Sequence, residues 1–178
     1  LFYFLASLPS QALRASSPKG GAKSLSLWER WHCVSNDGEG EDGEDMITVN
    51  QVYEAMQAIA PLELAESWDN PGLLVDCGGA VHRVLTALDI TPEVVEEAAA
   101  KQCEMIVSHH PVIFDPLKRL GPQDVPFQLV RAGISAVCMH TNLDAAEGGV
   151  NEVLAGIFGM KDMETFAEGC GRVGAIEE

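Results

Sequence analysis

Basic residues are scarce in this chain: 11 Lys and Arg stand against 27 Asp and Glu over 178 residues, a formal net charge of −16. Sequence-independent binding to DNA or RNA needs a basic surface to neutralise phosphates, so this balance excludes nucleic acid as a bulk partner. It leaves room for metal cations. The five cysteines (Cys33, Cys77, Cys103, Cys138 and Cys170) lie far apart, with no CxxC pair. That spacing fits neither a zinc ribbon nor a thioredoxin-type site, and the odd count favours reduced, cytoplasmic thiols packed as small hydrophobes. Long apolar runs are missing as well. The octet LFYFLASL at residues 1–8 falls well short of the roughly 17–25 residues a membrane span requires. There is no GxSxG elbow and no cysteine paired in motif with histidine, so nucleophilic acyl transfer has no support. What remains, 47% hydrophobic and 21% charged, is the composition of a folded domain of ordinary size.

The first residue is Leu1, and residues 1–8 read either as a stray apolar octet or as the remnant of a targeting peptide. Residues 9–45 run through SSPKGG and the acidic DGEGEDGED, too little apolar surface to offset ordering entropy. Residues 1–45 are therefore expected to be disordered or extraneous, with the folded protein beginning near Met46. From there helix and strand signals alternate. Thr48 and Gln51 form a candidate capping box ahead of Val52, Met56 and Ile59, and Pro61 stops that helix. Residues 61–79 read as a looped segment containing the short apolar run LLV. Strands are expected at 84–89, 104–108 and 134–139, and helices at 92–103, 126–133 and 149–158, with Thr91 and Pro92 opening one and Gly133 closing another. This order predicts an α/β fold, three layers α/β/α around a largely parallel sheet, with the three strands as parallel neighbours.

Two polar clusters follow two of those strands. His109-His110-Pro111 comes directly after 104–108, and HTNLD at 140–144 directly after 134–139. Open parallel sheets place ligands outside the carboxyl ends of their strands, which brings the clusters together. Imidazole and carboxylate suit a borderline divalent cation such as Zn, Fe, Ni or Mn, and a carboxylate can bridge two ions. A histidine pair alone reads equally as a surface pair. His140 is either a third ligand or a structural residue bonded to Asp144 or a loop carbonyl. Asn142 reads as a turn former, and Glu147 as a base candidate or a solvated helix start. The Gly148-Gly149 pair lacks GxGxxG spacing and reads as a tight entry to the last helix. Trp68, Asp69 and Asn70 form a loop set in which the indole either anchors the loop by burial or contacts substrate. His82 and His32 read as structural.

The stretches 66-ESWDNPGLLVD-76, 105-MIVSHHPVIF-114 and 140-HTNLDAAEGGVNEVLA-155 together resemble the Nif3-like family, also named GTP cyclohydrolase 1 type 2 homologues. The resemblance runs from about Met46 through residue 178. It implies an α/β/α domain with a dinuclear divalent-metal centre, assembled into a ring-like homohexamer, with His109, His110 and Asp144 as metal ligands. It also implies a hydrolase in which metal-activated water attacks a nucleotide-like substrate; the rival reading is a non-enzymatic metal-binding or scaffold protein. The family completes its two-metal site with a late GHxxxE-type motif, whereas no histidine follows His140 here. Residues 46–178 are accordingly expected to be the N-terminal portion of the family domain, the C-terminal half lying elsewhere.

Overall fold

The computed structural model describes residues 46–176, so the expectations for residues 1–45, including His32 and Cys33, lie outside the described residues. Helix α1 (Val49–Ile59) begins with the foreseen capping box: Gln51 N–H donates to Thr48 Oγ1 at 3.3 Å, and Thr48 N–H to Gln51 Oε1 at 2.8 Å. Two of the orphan donors of the helix start are thereby satisfied. A single 3₁₀ turn at Leu62–Leu64 leads to strand β1 (Gly72–Val75). Strand β2 (Val84–Ala87) is followed by α2 (Pro92–Ala100), which Thr91 caps by accepting from Val94 N–H. Strand β3 (Met105–Ser108), helix α3 (Val125–Ala132) and strand β4 (Ser135–Cys138) complete the alternation. Beyond β4 come the five-residue helix α4 (Thr141–Ala145), helix α5 (Val150–Ile157) and the strands β5 (Lys161–Phe166) and β6 (Gly171–Ala175).

The four-stranded sheet has the order β1-β4-β3-β2. β2, β3 and β4 are parallel neighbours, with Val84 opposite Met105 and Met105 opposite Ser135. The parallel arrangement expected from the apolar runs is therefore present. Ile106 and Ala136 point to one face, where they pack with Val95 and Ala98 of α2 and Leu129 of α3. Met105, Val107 and Val137 project from the other face and are equally buried, so both faces of the central strands are covered.

Strand β1, read from sequence only as a short apolar run, adds an antiparallel edge to β4, with Gly72 opposite Cys138. Gly72 has φ +115°, and a Cβ there would press on the Tyr53 hydroxyl at 3.1 Å, so a side chain is excluded on two counts. The reversed direction of β1 matters for the site. The start of an antiparallel strand lies beside the end of its partner, so residues just before Gly72 meet those just after Cys138. β5 and β6 form a separate antiparallel hairpin, joined by a turn through Ala167–Gly169. Among the described residues no helix is long and apolar enough to cross a membrane.

Candidate metal centre

All four strands of the main sheet deliver polar residues to one end. Asp69 precedes β1, Asp89 follows β2, His109 and His110 follow β3, and His140 and Asp144 follow β4. The backbone around the histidine pair is tied down on both sides. His109 and His110 N–H groups donate to the Ala87 and Leu88 carbonyls at 3.2 and 2.9 Å, and Met139 N–H donates to Ser108 C=O at 3.0 Å. The Ser108 hydroxyl donates to the His110 carbonyl at 2.8 Å, and the Cys138 thiol to the His109 carbonyl at 3.1 Å. After β4, His140 caps α4, accepting from Leu143 and Asp144 N–H. His140 and Asp144 are four residues apart, one helical turn, and so share a face. Thr141, Asn142 and Leu143 between them are buried and hold the turn in place.

His109, His110 and His140 converge: one ring nitrogen of each lies within 4.8 Å of the others. Asp144 Oδ1 stands 3.7 Å from His109 Nε2. Each ring is held through Nδ1. That of His109 lies 3.0 Å from the Met139 carbonyl, that of His110 2.7 Å from Asp89 Oδ1, and that of His140 2.8 Å from Asp69 Oδ1. A carbonyl oxygen only accepts, as does an ionised carboxylate, so in each neutral ring Nδ1 carries the proton and Nε2 keeps its lone pair. Metal-binding histidines are commonly oriented in this way, by an acceptor on the far nitrogen. The three imidazoles make a donor set that fits a divalent first-row ion, with the Asp144 carboxylate standing beside His109. The triad could hold a metal ion.

The Asp69 side chain is the most enclosed charge in the group, with 0% of its surface exposed. Its Oδ2 accepts from both the Thr141 backbone N–H at 3.0 Å and the Thr141 hydroxyl, while Oδ1 accepts from His140 and from Asn70 N–H. Burial alone would raise its pKa. The bonds from Thr141, His140 and Asn70 outweigh that penalty and hold it below the usual carboxylate value. Burial, with the Asp69 charge adding to it, pushes the Cys138 thiol up to about 12. The Cys138 thiol is engaged with the His109 carbonyl. The ion-pair partners of Asp69, Asp89 and Asp144 are histidines, and among the described residues none of the three pairs with Lys or Arg. With neutral imidazoles the group carries three negative charges, a setting that favours a cation.

Of the residues singled out in the sequence, His109 and His110 converge with His140, while Asp144 stands beside His109 and is not part of the converging triad. The partner that fixes His140 is Asp69 rather than Asp144 or a carbonyl, across 71 positions of sequence. Asn142 does not form a local turn bond; its Nδ2 donates to Ala60 C=O at 2.8 Å and anchors α4 to the end of α1. His82 is exposed and apart from the cluster, and Glu147 is a solvated residue before α5. Gly149 is required by close approach, since a Cβ there would collide with the Leu143 carbonyl oxygen. Trp68 is 60% exposed, so the indole does not anchor its loop by burial; Asp69 does that. Asp89 and the positioning role of Asp69 were not foreseen. An acid at the very end of the strand signal at 84–89 was the available hint for the former.

Three comparisons bear on this site. The family model described as Duf34/NIF3 (NGG1p interacting factor 3) matches residues 47–178. NGG1-interacting factor 3 of Saccharomyces cerevisiae is 39% identical over 117 residues, covering 58% of this chain and 40% of that protein. A GTP cyclohydrolase 1 type 2 homolog of Staphylococcus aureus is 47% identical over 107 residues, covering 58% of this chain and 29% of that one. The crystal structure of a Bacillus cereus protein related to NIF3 superposes with a TM-score of 0.65 at 32% identity, over 68% of this chain and 35% of that one. The chain thus spans well under half the length of these three relatives.

Proposed function

Because this chain belongs to the Duf34/NIF3 family, whose model spans residues 47–178, we propose that it carries the metal-binding portion of a divalent-metal-dependent hydrolase acting on a nucleotide-like substrate. The observation that supports this best is the set of three imidazoles, each with Nδ1 committed to an oxygen acceptor, beside the Asp144 carboxylate. His109, His110 and Asp144 would hold the ion, with His140 as a further nitrogen donor. A divalent ion bound there supplies a Lewis acid and lowers the pKa of water. The chain's own residues do the rest: Asp69 and Asp89 fix the tautomer and direction of two rings, and Asp144 places an anionic oxygen against His109. A second ion per subunit, a homohexameric assembly and cytoplasmic residence belong to the same reading.

The experiment is incubation of the zinc- or manganese-loaded protein with GTP and chromatographic detection of product. The expected outcome is turnover that a chelator abolishes and that His110→Ala lowers by at least about tenfold, the lower end of the loss found for groups that merely support a metal ligand. Turnover unaffected by His110→Ala would contradict it. A second reading, a non-enzymatic interaction protein, draws on the yeast relative's name and on the exposed apolar side chains Leu154, Ile157 and Phe158. Metal-dependent partner capture without turnover would favour it.

A further inference from the structure

Beside the imidazole cluster stand two large aromatic side chains that the metal site does not use. Trp68 is 60% exposed and Phe114 is 49% exposed. Their ring centroids lie 6.2 Å apart with an interplanar angle of 49°, and Trp68 meets His140 at 6.2 Å and 81°. Neither contact is a parallel stack, so aromatic surface is left uncovered next to the ligand nitrogens. The loops that carry them are held firmly. Asn70 Nδ2 donates to Ile113 C=O at 2.7 Å, joining the segment before β1 to the segment after His110. The residue after Trp68 is the enclosed Asp69, and Asp69 N–H donates to Glu66 C=O at 2.9 Å. An indole kept in water on an anchored backbone has lost the apolar contact it would gain by burial.

We propose that Trp68 and Phe114 form a stacking subsite for the planar ring of a nucleotide-class ligand whose anionic group faces His109, His110 and His140. The subsite rests on the metal-site reading above for the placement of the anionic group, but stacking on the two rings requires no ion. The charges support the order of events. Asp69, Asp89 and Asp144 stand beside the imidazoles and, among the described residues, none is paired with Lys or Arg, so a bound divalent cation favours the approach of a phosphate, while an uncharged nucleoside has no such requirement. Stacking tolerates any base, because every base offers a π-face.

The test uses the whole 178-residue chain, loaded with zinc and titrated with GMP, ribose 5-phosphate and guanosine by calorimetry. Trp68→Ala is expected to weaken GMP binding by at least about tenfold, within the range seen when a stacking aromatic is truncated. Trp68→Phe should restore it to within about threefold, and Phe114→Ala should give a smaller loss in the same direction. Zinc affinity and ribose 5-phosphate affinity should stay within twofold in all three variants. GMP affinity unchanged in Trp68→Ala and Phe114→Ala, or no GMP binding by the zinc-loaded wild type, overturns the subsite. So does a change in sedimentation of Trp68→Ala with ligand affinity intact, which would make the aromatic pair a contact between copies of this chain. If zinc fails to bind at all, the metal reading falls separately, and guanosine binding with and without Trp68 still decides the stacking.

Discussion

Residues 66–144 and residues 150–175 differ in how much of their apolar surface is covered. In the first region the polar groups of the site are tied by hydrogen bonds: Asp69 has four donors, Asn142 Nδ2 reaches across to α1, and each histidine of the triad has a partner at Nδ1. In the second, apolar groups face outward. Ala155 is the buried residue of α5, whereas Val153, Leu154, Ile157, Phe158, Met163, Phe166 and Val173 are exposed. The two are connected by Asn151, whose Nδ2 donates to the Asp144 carbonyl at 3.0 Å and to the Cys170 carbonyl at 2.9 Å. A site that must hold several side chains at fixed distances is built where parallel strands end, because the sheet register sets those positions together. The C-terminal arm has few enclosing neighbours and draws its order from a small number of polar ties.

That contrast predicts unequal sensitivity to truncation. Leu129→Ala, at 0% exposure on α3 against the sheet, should destabilise by about 3 kcal/mol. Ile157→Ala, at 72% exposure on α5, should change stability by less than about 0.5 kcal/mol. Thermal unfolding of the two variants checks this, and equal losses would erase the distinction between the regions.

Within the first region, Asp69→Asn separates positioning from ligation. The amide can no longer offer two anionic acceptors to Thr141 and His140, so zinc affinity should fall about 10- to 100-fold, the range found for groups that orient a ligand. The sharper check is Asp89→Asn: its carboxylate is 56% exposed and supports His110 alone, so its effect should be the smaller of the two. A reversed ranking would show that enclosure does not govern how well a ring is held.

In the second region the strongest tie is Arg172, whose side chain is 6% exposed. Its Nε and Nη2 donate to Glu152 Oε1 at 3.2 and 3.0 Å, and its Nη1 to the Gly169 carbonyl at 2.6 Å. The Gly148 N–H bond lowers the Glu152 pKa, and Arg172 lowers it further against the opposing effect of burial. A carboxyl whose folded value lies below its unfolded one, about 4.3, contributes stability that is full above that value and lost as pH falls through the folded one. Glu152→Gln should therefore cost about 1.5 kcal/mol near pH 7, and the gap to the wild type should narrow as pH falls below about 4.3 and through the folded value. A gap independent of pH would assign the loss to packing instead.

Much of the first region was legible in the sequence because its signals are local. The apolar runs at 105–108 and 135–138 are buried strands, the run at 84–87 is a partly exposed strand beside them, and the Thr48–Gln51 box needs only four residues to form. The strand-end clusters followed from that order. What local pattern could not carry was direction and distance. β1 has one short apolar run, and its antiparallel pairing with β4 is set by tertiary packing, which also brings Asp69 to His140. β5 went unread for a different reason. All six of its residues are exposed, so KDMETF has no buried face to impose an alternation. The exposure of Trp68 was hidden likewise, since the enclosed residue of that loop turned out to be the acid beside it.

The account stands or falls on whether the strand-end constellation takes up metal. Zinc titration by calorimetry, paired with elemental analysis of the dialysed protein, compares the wild type with His109→Ala, Asp144→Asn and Asp162→Asn, the last altering an exposed acid of β5. The predicted result is stoichiometric uptake by the wild type and Asp162→Asn, at least about tenfold weaker binding in Asp144→Asn, and a greater loss in His109→Ala. Equal uptake by all four proteins, or none by the wild type, would contradict it.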